Sequence, residues 1–371
     1  MTKSEQICND IGKKFFCKDY VYENLKYHNK TGNRVELCDG LFAFGDLYVV
    51  LQIKERSSSN GKSDKDWLRD VVYKEAVEQV VETVFAIKSN KISVNDCYNQ
   101  PVQLNSDNNI FPIVVFDNPS ITDYQKIYQK DGIDINIFRI DDYQKMMEVL
   151  IHPYDIIYYL QERFCWINKA NGTIPMFVVG DGEKSAIISR IRCEGDFARF
   201  FSKYIYDGDQ EARDDSLRVL AIIDKFHDNQ IKKNKEYKTI LNILQMIRPE
   251  IASGFIKRFQ LAWDNSCKNI MDYSKAIQLL VDSKKISIVF FSVGTSPLEE
   301  IGIYEMICDA KQQQQKADVV LLISFLGSSD NNCQIDWIYY EKPFVEDPEL
   351  LNEYIKNGIL PDIKELGNSL I

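Results

Sequence analysis

The feature that most constrains this chain is the run VELCDGLFAFGDLYVVLQIKER at 35–56, in which two apolar segments flank a short Gly45-Asp46 turn. Both segments read as buried core, and the shortness of the turn sets them side by side as a hairpin. Into that core the sequence places an acid, an amide and an amine. Side chains alternate faces along a strand, so Gln52 and Lys54 point one way and Ile53 the other. Asp39, at the start of the preceding strand, is expected near the level of Gln52 and Lys54, give or take one residue of register.

The rest of the chain supplies layers for such a hairpin. Residues 3–27 carry Ile7, Ile11, Phe15 and Phe16 at helical spacing, which predicts a first helix, closed by the polar break HNKTGN. After SSSNGKSDKD, the segment WLRDVVYKEAVEQVVETVFAIKS places Val71, Val72, Ala76, Val80, Val84 and Ile87 along one stripe of an amphipathic helix. NIFPIVVF at 109–116 and DINIFRI at 134–140 read as strands. Residues 140–164 read as two helices broken at His152-Pro153, because the residue before a proline is pushed out of the α region. The polar stretch NKANGTIP at 168–175 is the best linker. Beyond it, PMFVV and SAIISRI suggest a hairpin around GDGE, 197–283 reads as mainly helical, and ISIVFFSV and VVLLISFL return to strands around a helix ending in KQQQQK.

At 371 residues, with 45% hydrophobic and 27% charged side chains, the chain is long enough for two folded domains. The expectation is an α/β protein: a mixed sheet flanked by helices over 1–167, then a second mixed α/β domain over 175–371. No apolar run reaches the roughly 18 residues of a bilayer span, and the start MTKSEQICNDIGKKFF lacks the apolar core of a signal peptide. A soluble cytoplasmic protein without a membrane partner is the consequence. The nine cysteines, with no CxxC pair and only three histidines in the chain, argue against zinc and against a disulfide framework. A net charge of −10 lowers the prospect of a general nucleic-acid coat protein but leaves room for a local groove.

Hydrolysis of a phosphodiester needs a hard cation on oxygen ligands, a nucleophilic water and positive charge where the phosphorane builds up. Asp39 supplies a carboxylate oxygen, the Gln52 side-chain carbonyl and the Ile53 backbone carbonyl complete a ligand set for Mg²⁺ or Mn²⁺, and Lys54 positions water or stabilises the phosphate. In these residues the chain resembles the PD-(D/E)XK nuclease superfamily, in the variant with Gln at the second acidic position found in Mrr-like restriction enzymes. Asp39 matches the motif's Asp, and Gln52-Ile53-Lys54 its (D/E/Q)xK. The ELCD block, the QIK strand and the following W…K…Q helix are also similar to a group of uncharacterised bacterial nuclease-like proteins.

The resemblance covers about residues 1–165. It implies a restriction-endonuclease-like sheet, an acid from the first helix, for which Glu5 is chosen ahead of Asp10 and Glu23, and polar groups from the following helix, Lys74 and Gln79. It further implies a magnesium-dependent endonuclease acting on DNA, with RNA left open, in antiviral or foreign-DNA defence. A homo-oligomer or a defence-system protein is the partner it suggests. Two features depart from the family pattern: Val35-Glu36-Leu37-Cys38 stands where a proline often precedes the Asp, and Gln52 removes one negative charge. The alternative is an inactive module that keeps the nuclease fold to bind a protein or nucleic acid.

Other motifs read more plainly. Glu36, three residues from Asp39, has the opposite strand parity and is read as structural. GDGEKS at 180–185 has Glu183 where a phosphate loop needs Gly, so it reads as a hairpin turn. SVGTSPLEE reads as ordinary capping by Ser296-Pro297. The lysines of KFHDNQIKKNKEYK form a solvated face. His28, His152 and His227 offer no catalytic triad.

Overall fold

The computed structural model describes residues 2–16, 18–28, 34–56, 61, 63–89, 92–95, 101–170, 191–205, 210–229, 235–273, 276–281, 283–294, 302–328 and 332–357. The linker at 168–175, the hairpin around GDGE, the SVGTSPLEE turn and the lysine-rich run lie wholly or partly outside them. The chain divides into two compact units, Met1–Gly208 and Asp209–Ile371. No helix among the described residues is long and apolar enough to cross a membrane.

The first unit is built on six strands. These are β1 (Val21–His28), β2 (Arg34–Phe44), β3 (Leu47–Glu55), β6 (Asn109–Asp117), β7 (Ile127–Lys130) and β8 (Ile133–Arg139), in the order β1-β2-β3-β6-β8-β7; β4 (Ser93–Asn95) and β5 (Pro101–Gln103) pair separately. The sheet is mixed: β3, β6 and β8 run parallel, while the β1–β2, β2–β3 and β7–β8 pairs are antiparallel. Gly45 takes φ +55 at the first central position of the β2–β3 turn, a conformation that costs glycine nothing, and Phe44 pairs with Leu47 across it.

Both faces of this sheet are covered, which is why its central strands are apolar on consecutive positions. On one face α1 (Lys3–Phe16), α4 (Ile140–Val149) and α5 (Asp155–Ala170) pack with Phe42, Val49, Leu51 and Ile53. On the other face a continuous helical stretch lies over Leu41, Tyr48 and Val50. It comprises α2 (Asp64–Trp67), a π-wound segment (Leu68–Ala76) and α3 (Val77–Lys88). Trp67, Val72, Ala76, Val77 and Val80 are its buried stripe. Ser63 caps its start, with Oγ accepting from the Asp66 amide at 3.1 Å.

Three expectations need correction. The first helix stops at Phe16, and 21–28 is an edge strand, because Val21, Tyr22 and Leu25 bury themselves against β2. The first unit continues past residue 167: α6 (Glu194–Phe200) and the π-wound turn Phe201–Ile205 add Phe197, Phe200 and Phe201 to its core. The Arg163 guanidinium, fully buried, donates through Nε to the equally buried Glu194 Oε1 at 2.7 Å. That pair makes residue 194 integral to the first unit, since leaving either charge unpaired in a core costs several kcal/mol. Finally, 197–283 is helical only as far as Cys267.

The second unit holds α7 (Gln210–Asn229), α8 (Lys235–Gln245) and α9 (Pro249–Cys267), followed by strands. The sheet runs β10 (Ile277–Val281), β11 (Lys284–Gly294), β12 (Val319–Gly327), β13 (Cys333–Glu341), and β9 (Asp272–Tyr273) pairs with the end of β11. The β11–β12 pair is parallel and joined through α10 (Ile303–Gln315); the β10–β11 and β12–β13 pairs are antiparallel. The last described helix is α11 (Pro348–Lys356), capped by Asp347.

Candidate functional site

The β2–β3 pairing is in register through Gly40 opposite Leu51. One step further, Asp39 stands opposite Gln52, and its carboxylate replaces the backbone carbonyl that an unbroken ladder would offer. Asp39 Oδ2 accepts from the Ile53 amide at 2.6 Å and from Gln52 Nε2 at 2.6 Å. Two donors on one carboxylate oxygen fix its position at the strand end. Parity puts Gln52 and Lys54 on the face of Tyr48 and Val50, under the π-wound segment, and Lys54 Nζ meets Glu75 Oε1 there at 2.8 Å. Asp39, Gln52 and Lys54 therefore gather at one end of the β2–β3 pair, with the lysine stem largely buried and its ammonium held by Glu75.

The Gln52 amide presents its nitrogen to Asp39, not the carbonyl expected as a ligand. A carboxylate can only accept, so the amide turns its donor to it. The Ile53 amide also faces Asp39, and its carbonyl shares that edge, since N–H and C=O of one strand residue point the same way.

Glu5 forms a capping box with Thr2: Thr2 N donates to Glu5 Oε2 at 2.8 Å, and Glu5 N donates to Thr2 Oγ1 at 3.2 Å. Its carboxylate is thus engaged at the start of α1, and its charge bears on Cys8 further along that helix. The buried Cys8 thiol is pushed up to about 12, first by burial and then by the carboxylates of Asp117, Asp39 and Glu5. Asp10 lies on the exposed side of α1 near Gln6. Lys74 is exposed, and its neighbour Glu75 is the residue that reaches β3. The side chains of Glu23 and Glu36 lie outside the described ones.

Gln79 stands one turn before Thr83, whose hydroxyl donates to the Leu37 carbonyl two residues from Asp39. Gln79 Oε1 is buried without a hydrogen bond, as is Asn9 Oδ1 on α1. Asn9 sits against Gly40, where a Cβ would lie 2.8 Å from that oxygen, so the glycine beside Asp39 is what admits it. Two unsatisfied amide oxygens thus come from helices on opposite faces of the β2 segment that carries Asp39.

The sequence reading also missed an acidic pair next to the site. Glu55 and Asp117 are in register at the ends of parallel β3 and β6, and Ser4 Oγ lies 2.8 Å from a carboxylate oxygen of each. The Ser4 amide donates to Glu55 at 3.0 Å and, with the hydroxyl, holds that carboxyl below its usual range. The available signal was that both acids directly end their strands, QIKE and IVVFD, where parallel sheets collect polar side chains.

Around Asp39 the donors are all hard oxygens: one carboxylate, the Ile53 carbonyl, the Gln52 carbonyl once its amide turns over, and the orphaned amide oxygens nearby. Such a set suits a divalent cation that keeps several waters and takes few carboxylates. Among the described residues no group of three or more His, Cys, Asp or Glu side chains forms a metal cluster, so neutral oxygens would have to complete the shell. Comparison with protein-family models, curated proteins and solved structures finds no match to the chain.

Proposed function

We propose that the first unit is a restriction-endonuclease-like domain and that the protein is a metal-dependent nuclease cutting phosphodiester bonds of DNA. The observation that carries this reading is the convergence of Asp39, Gln52 and Lys54 at one sheet end, with Asp39 filling the gap where β2 and β3 part. The resemblance of the ELCD and QIK blocks adds a setting in defence against foreign DNA.

Asp39, the Ile53 carbonyl and the turned Gln52 amide would hold Mg²⁺ or Mn²⁺. A bound divalent cation draws electron density from the phosphate and makes an adjacent water nucleophilic. The Ile53 amide and Gln52 Nε2 fix the Asp39 carboxylate before the cation arrives. Lys54 Nζ, leaving Glu75, donates a proton in a hydrogen bond to a non-bridging phosphate oxygen and offsets the charge that grows there.

The test is incubation of supercoiled plasmid with the purified full chain and Mg²⁺ or Mn²⁺. Cleavage that Asp39→Ala and Lys54→Ala both abolish supports the nuclease. Cleavage that survives both substitutions overturns it, as does no cleavage at all by the unsubstituted chain. A second reading is favoured by the Lys54–Glu75 pair, which occupies the amine: a nuclease-fold module that binds a protein or nucleic acid without cutting. Metal-independent DNA retention with no cleavage supports that reading.

A further inference from the structure

The second unit carries a pair of thiols that the hydrolytic site does not use. Cys267 is the last residue of α9 and Cys333 the first of β13. Their sulfurs lie 3.6 Å apart, with Cys333 Sγ 3.7 Å from the Trp263 carbonyl and Cys267 Sγ 3.9 Å from the Asn332 carbonyl. Both are free and of intermediate exposure, whereas Cys8, Cys38 and Cys308 are buried. We propose that Cys267 and Cys333 form a site of reversible thiol oxidation, closing to a disulfide that ties the end of α9 to the start of β13.

Bond formation needs the sulfurs to approach to about 2.05 Å. The movement falls on two element ends, where backbone shifts disturb the fewest hydrogen bonds. The corner is otherwise firmly set. The buried Ser266 hydroxyl sits between the Gly294 and Phe325 carbonyls and accepts from the Gly327 amide at 2.9 Å. A Cβ at Gly327 would run into the Ser266 carbonyl, so α9 and the end of β12 touch without room for one more atom. This contact keeps the two thiols facing each other in the reduced chain, and the disulfide adds a covalent tie at the same place.

The two sulfurs have different surroundings. Burial and then contact with Cys267 push the Cys333 thiol up to about 12. Its sulfur sits at a half-buried contact with the Trp263 carbonyl and the Cys267 sulfur at an exposed one with the Asn332 carbonyl, so Cys267 meets the oxidant first. With hydrogen peroxide as oxidant, the Cys267 sulfur, giving up its proton, bonds to one peroxide oxygen. The O–O bond breaks and the other oxygen leaves as water, which gives a sulfenic acid. The Cys333 sulfur then attacks the Cys267 sulfur: the S–S bond forms, the S–O bond breaks, and a second water leaves with the Cys333 proton. Two thiols lose two electrons and one peroxide becomes two waters. A low-molecular-weight thiol reverses the step by exchange.

The experiment uses the reduced full chain, treated with hydrogen peroxide at neutral pH, blocked with N-ethylmaleimide and mapped by peptide mass. The expected result is one cross-linked pair of peptides holding Cys267 and Cys333, lost after dithiothreitol. Cys267→Ser and Cys333→Ser each lose the pair, and Cys333→Ser leaves a sulfenic acid on Cys267 that dimedone traps. Recovery of both residues singly alkylated at a dose that oxidises the exposed Cys193 overturns the proposal, as does a cross-link from either to another cysteine. Should a serine variant fail to fold by circular dichroism, the map of the unsubstituted chain still decides.

Discussion

Two strand ends in this protein are finished in opposite ways. Where β2 parts from β3, a carboxylate fills the gap and takes two donors on one oxygen. Where β11 and β12 end in the second unit, neutral hydroxyls do the same job: Ser266 serves Gly294, Phe325 and Gly327, and Ser292 donates to the Ile270 carbonyl at 2.8 Å and accepts from the Asp272 amide at 3.0 Å. A hydroxyl is both donor and acceptor, so it can close a corner with no charge left over. A carboxylate is acceptor only, and under the nuclease reading proposed above that leaves Asp39 able to take a cation. The neutral corner closes its groups among themselves, and under that reading the charged corner is kept for binding.

The sharpest way to break this contrast is Asp39→Asn, which keeps the shape and removes the charge. Plasmid cleavage is expected to fall by about 100-fold or more while thermal stability stays level, as loss of cation and water activation requires. Unchanged cleavage, or unfolding at room temperature, makes Asp39 a structural residue like the serines.

Among its described residues the second unit does contain one buried ammonium. Lys311, on α10, is 3% exposed, and burial pulls its titration down from 10.5 to about 8, against the attraction of Asp272. Between these values the unfolded chain binds a proton that the folded chain lacks, so this residue's share of stability is lowest below pH 8 and rises toward pH 10.5. Lys311→Met is therefore expected to gain on the unsubstituted chain at neutral pH, with the gain shrinking by about 3 kcal/mol across that window. Urea unfolding of both chains along a pH series measures the difference, in which the opposing thiol titrations common to both cancel. A gain that does not change with pH removes the lysine as its source.

Ser266→Ala tests the neutral corner directly. It strands two carbonyls and an amide, and should lower the unfolding free energy of the second unit by about 2 kcal/mol with cleavage unaffected. Equal melting curves for the two chains would mean that water replaces the hydroxyl at no cost. The smallest effect is expected at Glu75, whose side chain is 54% exposed. Glu75→Gln should change stability by less than about 1 kcal/mol, yet raise plasmid cleavage severalfold, because the Lys54 amine no longer has to leave a carboxylate to reach the phosphate. Unchanged cleavage shows that Glu75 does not bear on the amine.

Much of the charged corner was legible in the sequence because a two-residue turn leaves little freedom: with Phe44 opposite Leu47, counting back puts Asp39 opposite Gln52, and alternation sends Lys54 to the same face. The stripe of Val72, Ala76, Val80, Val84 and Ile87 was equally plain. What escaped depended on contacts distant in sequence. VYENLKYH carries polar residues at half its positions and reads as a helix tail until β2 supplies a partner. Asn9 gains meaning only from Gly40, and Ser4 only from Glu55 and Asp117. β13, CQIDWIYYE, exposes Gln334 and Asp336 in its first half and offers only the short apolar run WIYY.

Glu75 escaped for another reason, since the segment that bears it is wound with hydrogen bonds one residue longer than an α-helix. That winding works as a phase shifter between two rigid shafts. Winding the same nine residues of 68–76 at ordinary α pitch, with none removed, would turn everything after them out of phase, since each α residue advances by about 100° and each residue of the wider turn by less. Gln79 and Thr83 would then swing off the Asp39 strand while Trp67 kept its seat. The spacing of this stretch, more than the identity of its residues, sets which side chains overlook the lysine.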